Sequence, residues 1–208
     1  MAYDAASALE DTLAQASILI DDLGWSLYEG REPAKARQNI DEGIRISRDH
    51  VSREPTDTRA LELVCKGLRH IANIEARTVQ NPNDARALFA IPRQAAASLP
   101  QAMAEFHGAQ IDHSESKVIL ELIENDFGVD GTVDPTGSSG SMLDEAVALA
   151  QRAESTFAKL SDIERQEKVL RTRVRLLAHY ASKARFEAAK SQLARIETQV
   201  ARHQLPIH

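Results

Sequence analysis

One cysteine, Cys65, in a chain of 208 residues excludes an internal disulfide and any zinc site built from paired thiolates. It lies between Val64 and Leu68 on an apolar helix face, which makes it a buried, inert thiol. Aromatic residues are scarce at 4%, and strands prefer the aromatic and β-branched side chains that are thin here. No apolar run approaches the roughly 18 residues that cross a bilayer. The opening "MAYDAASALEDTLAQ" has neither a basic nor an apolar region of the signal-peptide kind, so a soluble, cytoplasmic protein is expected.

The motifs of the common chemistries are missing as well. No glutamate is followed three residues later by a histidine, which removes the bundle-type di-iron site, and no His-Glu-x-x-His occurs. His113 with Asp112, Glu115, Glu121 and Glu124 forms a polar group that reads as a solvated helix face. "GTVDPTGSSG" has glycines but no P-loop lysine, and no nucleophile elbow is present. Neither a cofactor nor a catalytic residue is expected.

What the chain does have is 43% apolar residues, enough for a real core, together with abundant Ala, Leu, Arg, Glu and Gln. The fold class is therefore all-α, in antiparallel helical hairpins arranged as a repeat-like array or an irregular bundle. Apolar spacing predicts a first helix over about 5–28, carrying Leu9, Leu13, Ala16, Ile20, Leu23 and Leu27 and stopped at Gly30. A second starts at Pro33, where a missing N–H costs nothing, with Ala36, Ile40, Ile44 and Val51 inward. The third follows "EPTDTRAL" and turns Leu61, Val64, Cys65, Leu68 and Ala72 inward. A fourth begins near Pro82, capped by Asn83 or Asp84, and is broken by Pro92 and Pro100. A short fifth over "SESKVILELIENDFG" is capped by Ser114 or Ser116. "VDGTVDPTGSSGS" has no periodicity and reads as a flexible linker. Helices resume over about 142–159, 161–183 and 186–203. The domain reading is thus an N-terminal helical region, 1–129, a linker, 130–141, and a C-terminal helical region, 142–208.

Gly24 stands inside the first helix, where glycine costs about 1 kcal/mol against alanine. The spacing Ile20, Leu23, Gly24, Leu27, then Ala36, Ile40, Gly43 places small residues where two antiparallel helices would touch. Over residues 20–46 this pattern resembles the tetratricopeptide repeat, with Gly24 and Ala36 at its two small positions. A weaker match covers 173–196, where Leu176, Leu177, Tyr180, Ala189 and Leu193 follow the same spacing but Leu177 is too large for the small position. Leu61, Val64, Cys65 and Leu68 match the first helix of the motif alone. The resemblance implies helix contacts at Gly24, Ala36 and Ala189, and a surface that binds another protein. A second segment, "IANIEARTVQNPNDARALFA", resembles the dimerisation helices of histidine kinases of the HWE group. That likeness implies a degenerate phosphotransfer-like signalling bundle, with His70 as the fallback phosphoacceptor. A helical enzyme with an unrecognised site is the third reading.

Charge is divided unevenly: residues 1–140 hold 13 basic and 23 acidic side chains, residues 141–208 hold 12 and 8. In "ERQEKVLRTRVRLL" the cations Lys168, Arg171 and Arg175 share a helix face, opposite a stripe of Leu170, Val174 and Leu177. Glu164 and Glu167 dilute the cations and no aromatics interleave them, so nucleic acid is not the expected partner. Lys168, Arg171 and Arg175 are read instead as contacts for an acidic protein segment. The overall expectation is a non-catalytic interaction module, an adaptor or scaffold, present as monomer or homodimer.

Overall fold

Prolines and aspartates punctuate this chain, and helices fill the intervals between them. The structure, a computed structural model, describes residues 12–79, 82–126, 138–180, 192–196 and 198. Helix α1 covers 12–29, α2 Pro33–Arg53, α3 Thr58–Ala76, α4 Pro82–Leu88, α5 Ala90–Ala97, α6 Gln101–Asp126, α7 Ser138–Lys159 and α8 Ile163–Tyr180, with a further helical stretch at 192–196. No strand occurs among the described residues, and the class is all-α.

Pro33 opens α2 as its first helical residue, where its ring presets the backbone. Asp57 caps α3, its carboxylate accepting from the backbone N–H of Arg59 at 2.9 Å and of Ala60 at 3.2 Å. Its second oxygen lies 2.7 Å from His50 Nε2 at the end of α2, so one side chain ties both ends of the turn. The stop of α1 is not made by Gly30, whose φ is −70°. Arg31 takes the left-handed conformation instead, with φ 63°, while the Glu32 N–H reaches the Leu27 carbonyl. Ser161 repeats the device between α7 and α8, with φ 56°.

Two expected boundaries move. Asn83 and Asp84 lie within the first turn of α4, so neither is a cap; the break falls at Phe89, and Pro92 sits in the first turn of α5, where its missing N–H is tolerated. Ser114 and Ser116 cap nothing, because α6 runs unbroken from Gln101, and the Ser116 hydroxyl donates back to the His113 carbonyl. From Ser114 to Ile123 nearly every residue is buried, so α6 has no polar face for periodicity to reveal. Of the expected linker, residues 130–137 lie outside the described residues, and Ser138–Ser141 begin α7.

The chain divides into two compact units, Met1–Ile111 and Asp112–His208, with the division inside α6. In the first, α1, α2 and α3 enclose a core of Leu13, Ala16, Ile20, Ala36, Ile40, Ile44, Leu63, Ile71 and Ile74. Ile18–Gly24 of α1 is π-helical, closed i→i+5. A wider turn advances less per residue, so Leu23 swings out to 46% exposure while Gly24 turns inward. An ideal Cβ on Gly24 would collide with Ile40 Cγ1 and stand 2.8 Å from the Leu19 carbonyl oxygen. One on Gly43 would lie 2.6 Å from Ile20 Cγ1 and 2.9 Å from the Ala16 carbonyl oxygen. One on Gly67 would lie 2.5 Å from Ile44 Cγ1. Each helix thus presents a glycine to an isoleucine of its neighbour, and the order of contacts makes α2 antiparallel to both α1 and α3. Ala36 is fully buried in the same core, whereas Ala189 lies outside the described residues.

In the second unit α7 and α8 form an antiparallel hairpin, burying Leu143, Ala146, Ala150, Ala153 and Phe157 against Val169, Leu176 and Leu177. No helix among the described residues is long and apolar enough to cross a membrane.

Candidate functional site

Three places in the two units combine accessibility with polar chemistry. The first is a groove of about 410 Å³ between α2 and α3, walled by Ile91 of α5. Its floor is apolar because the core residues Ile44 and Ile71 and the half-buried Leu68 line it, and Ile91 is 56% exposed. Its rim is charged. Arg37 is ion-paired with Asp41 on its own helix and with Glu75 across the groove, and Arg45 pairs with Glu42 at 2.6 Å and Asp49 at 2.8 Å. Arg48 is exposed and, among the described residues, has no ionic or hydrogen-bonding partner. The lining therefore offers four aliphatic side chains and one uncommitted cation.

The second place is a polar layer on the other side of α3. Asp21, carried by the π-helical turn, lies 2.6 Å from Lys66 Nζ and 3.7 Å from His70 Nε2. Burial drives the His70 imidazole down to about 4, against the opposing pull of the Asp21 carboxylate, so the ring is uncharged at neutral pH. For Asp21 burial acts upward, but contacts with His70 and Lys66 outweigh it and hold the carboxyl below its ordinary range. Lys66 is then the cation that keeps Asp21 ionised. One turn earlier, Glu62 faces His107 of α6 at 3.1 Å, and burial again depresses the imidazole. Trp25 packs against His70 with ring centroids 4.9 Å apart and the planes tilted by 42°. His70 is 7% exposed. Lys66, Asp21 and Glu62 keep 32%, 27% and 37% of their side chains exposed. Cys65 is inert: burial raises its thiol to about 11, and its sulfur rests 3.8 Å from the Pro92 carbonyl oxygen.

Comparison with protein-family models, curated proteins and solved structures finds no match. The geometry must carry the functional argument alone.

The third place is the outer face of α8. Lys168, Arg171 and Arg175 are all exposed there, but Lys168 pairs with Glu164 at 2.6 Å and Arg171 with Glu167 at 2.5 Å, each one turn earlier. The stripe opposite them differs from the expected one. Gln166, Val169, Thr172, Arg173, Leu176 and Leu177 are buried, whereas Val174 is 46% exposed. Arg173 is the residue that periodicity misassigns: only 3% exposed, it is ion-paired with buried Glu154 of α7, and its Nη2 reaches Gln192 Oε1 at 3.4 Å. Burial lowers its guanidinium to about 10. Glu115, expected on a solvated face, is 3% exposed, and His113 meets Thr172 Oγ1 at 3.0 Å. Among the described residues no group of three or more His, Cys, Asp or Glu side chains could hold a metal ion.

The groove itself was not apparent from the chain. Ile44 and Leu68 read as core, as they are, and nothing local shows that they also floor a groove; Ile91 lies in a proline-flanked stretch without a clear apolar face.

Proposed function

We propose that this chain is a non-catalytic protein-interaction module of the helical-hairpin, tetratricopeptide-like kind, and that its α2/α3/α5 groove receives an amphipathic helical segment of another protein. The observation that carries this is the pairing of exposed Ile91 and the aliphatic floor with the uncommitted cation Arg48. Small-molecule sites gather several convergent polar groups in an enclosed cavity, and this groove is open with its other rim cations already paired. A helix laid in a groove needs what is present here: an aliphatic trough for residues spaced three and four apart, and a point charge at the edge. The partner helix would place its apolar ridge on Ile44, Leu68, Ile71 and Ile91 and a carboxylate at Arg48.

Selection from a library of random displayed peptides tests this reading. The enriched sequences should share apolar residues at i, i+3 or i+4, and i+7 with an acidic residue beside them. Their binding should fall at least tenfold on Ile91→Glu and about three- to tenfold on Arg48→Glu, as expected of a central and a rim contact. Enriched peptides that ignore both substitutions would overturn the groove.

A further inference from the structure

The outer face of α8 carries an apolar seam beside its charges. Ile163 is 56% exposed and Val174 46%, with the partly exposed Leu170 on the same side. Partly exposed Glu167 stands between them, and the charges along the seam are ordered along the helix: Glu164 and Glu167 first, then Lys168, Arg171 and Arg175. A surface that runs from acidic to basic along one helix is complementary to itself when reversed. We infer that α8 is the contact of a homodimer, in which two copies of this helix pack antiparallel across a two-fold axis.

The register follows from the seam. Setting Ile163 opposite Val174 of the second copy brings both exposed apolar pairs together, one at each end. The same register brings Arg171 beside Glu167 of the second copy and Arg175 beside Glu164, twice over by symmetry. The Lys168–Glu164 and Arg171–Glu167 pairs within the helix are solvent-exposed, and exposed pairs of this spacing contribute only a few tenths of a kcal/mol. Exchanging them for pairs between copies costs little, and the seam gains the burial of four branched aliphatic side chains. A parallel arrangement would set acid against acid and base against base. The inference is independent of the groove, which lies in the other unit.

Sedimentation of the full chain across a concentration series tests this. The parent should shift from 22.9 kDa toward twice that mass. Arg171→Glu alone and Glu167→Arg alone should each remain monomeric at concentrations where the parent is dimeric, because each sets like charges together at both symmetric contacts. An equimolar mixture of the two variants should regain the dimer, since opposite charges then meet at both contacts. As a second measurement, Ile163→Cys with Val174→Cys in one chain should give a disulfide-linked dimer on mild oxidation. Those two positions are roughly 16 Å apart along one helix, too far to join within a copy. A parent that is monomeric throughout, as when this face is covered by another part of its own chain, would overturn the inference. So would a dimer that the single charge reversals leave intact, or a mixture that stays monomeric.

Discussion

Glycine in a helix is a cost unless something needs the space, and the glycines here separate cleanly on that criterion. At Gly24 and Gly43 the nearest obstacles include a carbonyl oxygen at 2.8 and 2.9 Å, which cannot rotate away. At Gly67 the three nearest atoms belong to the side chains of Ile44 and Ile20, and at Gly108 nothing lies within 4 Å. Alanine gains about 1 kcal/mol of helix propensity at any of the four sites, and overpacking costs about 1–3 kcal/mol where a neighbour must move. Chemical denaturation of the four alanine variants should therefore place Gly24→Ala and Gly43→Ala below the parent, Gly67→Ala between them and the parent, and Gly108→Ala above it by about 1 kcal/mol. His70 supplies a second expectation at this scale. The unfolded chain takes up a proton near pH 6.5, whereas the folded imidazole, held at about 4, does not. The stability His70 contributes is complete above pH 6.5 and is lost as pH falls toward 4, on the order of 3 kcal/mol in all. His107, also depressed, acts in the same direction, and the lowered Asp21 carboxyl extends the loss below its ordinary range. Urea titrations at pH 7 and pH 5, followed through Trp25, the only tryptophan, should show this slope. His70→Gln should flatten it.

Among elements, the starts of α2 and α3 were legible because their causes are local: Pro33 at a first helical position and a turn ending in Asp57. The burial pattern of α1 was not, since Leu23 follows the 3.6-residue spacing and only the π-helical turn sends it outward. The extent of α6 was hidden for a different reason. Ser114 and Ser116 carry the chemistry of caps, but both lie in a buried stretch of a continuous helix, and the Ser116 hydroxyl donates back to the His113 carbonyl. Arg173 shows the limit most plainly, because a buried arginine is visible only with its partner, and Glu154 lies on another helix. Breaking such a pair from one side strands the other charge, at about 3–5 kcal/mol, while replacing both by apolar residues is often neutral. Thermal unfolding should accordingly show Glu154→Leu and Arg173→Met each strongly destabilised, and the double variant closer to the parent than either. Equal or additive losses would mean that neighbouring contacts, such as the Gln151 amide donating to Gln192 Oε1 at 2.7 Å, and not the ion pair, hold the hairpin together.

For the whole molecule, class and function stand at different distances from the sequence. An all-α fold follows from composition and periodicity summed over many residues, so individual errors cancel. A groove has no such redundancy. It depends on three helices setting Ile44, Leu68, Ile71 and Ile91 around one trough, and on Arg37 and Arg45 finding partners while Arg48 finds none among the described residues. The cations that were legible, Lys168, Arg171 and Arg175, share one helix and needed no tertiary information. The measurement that tests the interaction-module reading most directly is the affinity of a library-selected peptide for the parent, for Ile91→Glu and for the α8 control Arg175→Glu, each first shown to unfold at the parent temperature. The groove predicts a loss of at least tenfold for Ile91→Glu and parental affinity for Arg175→Glu; equal affinity for all three proteins would contradict it.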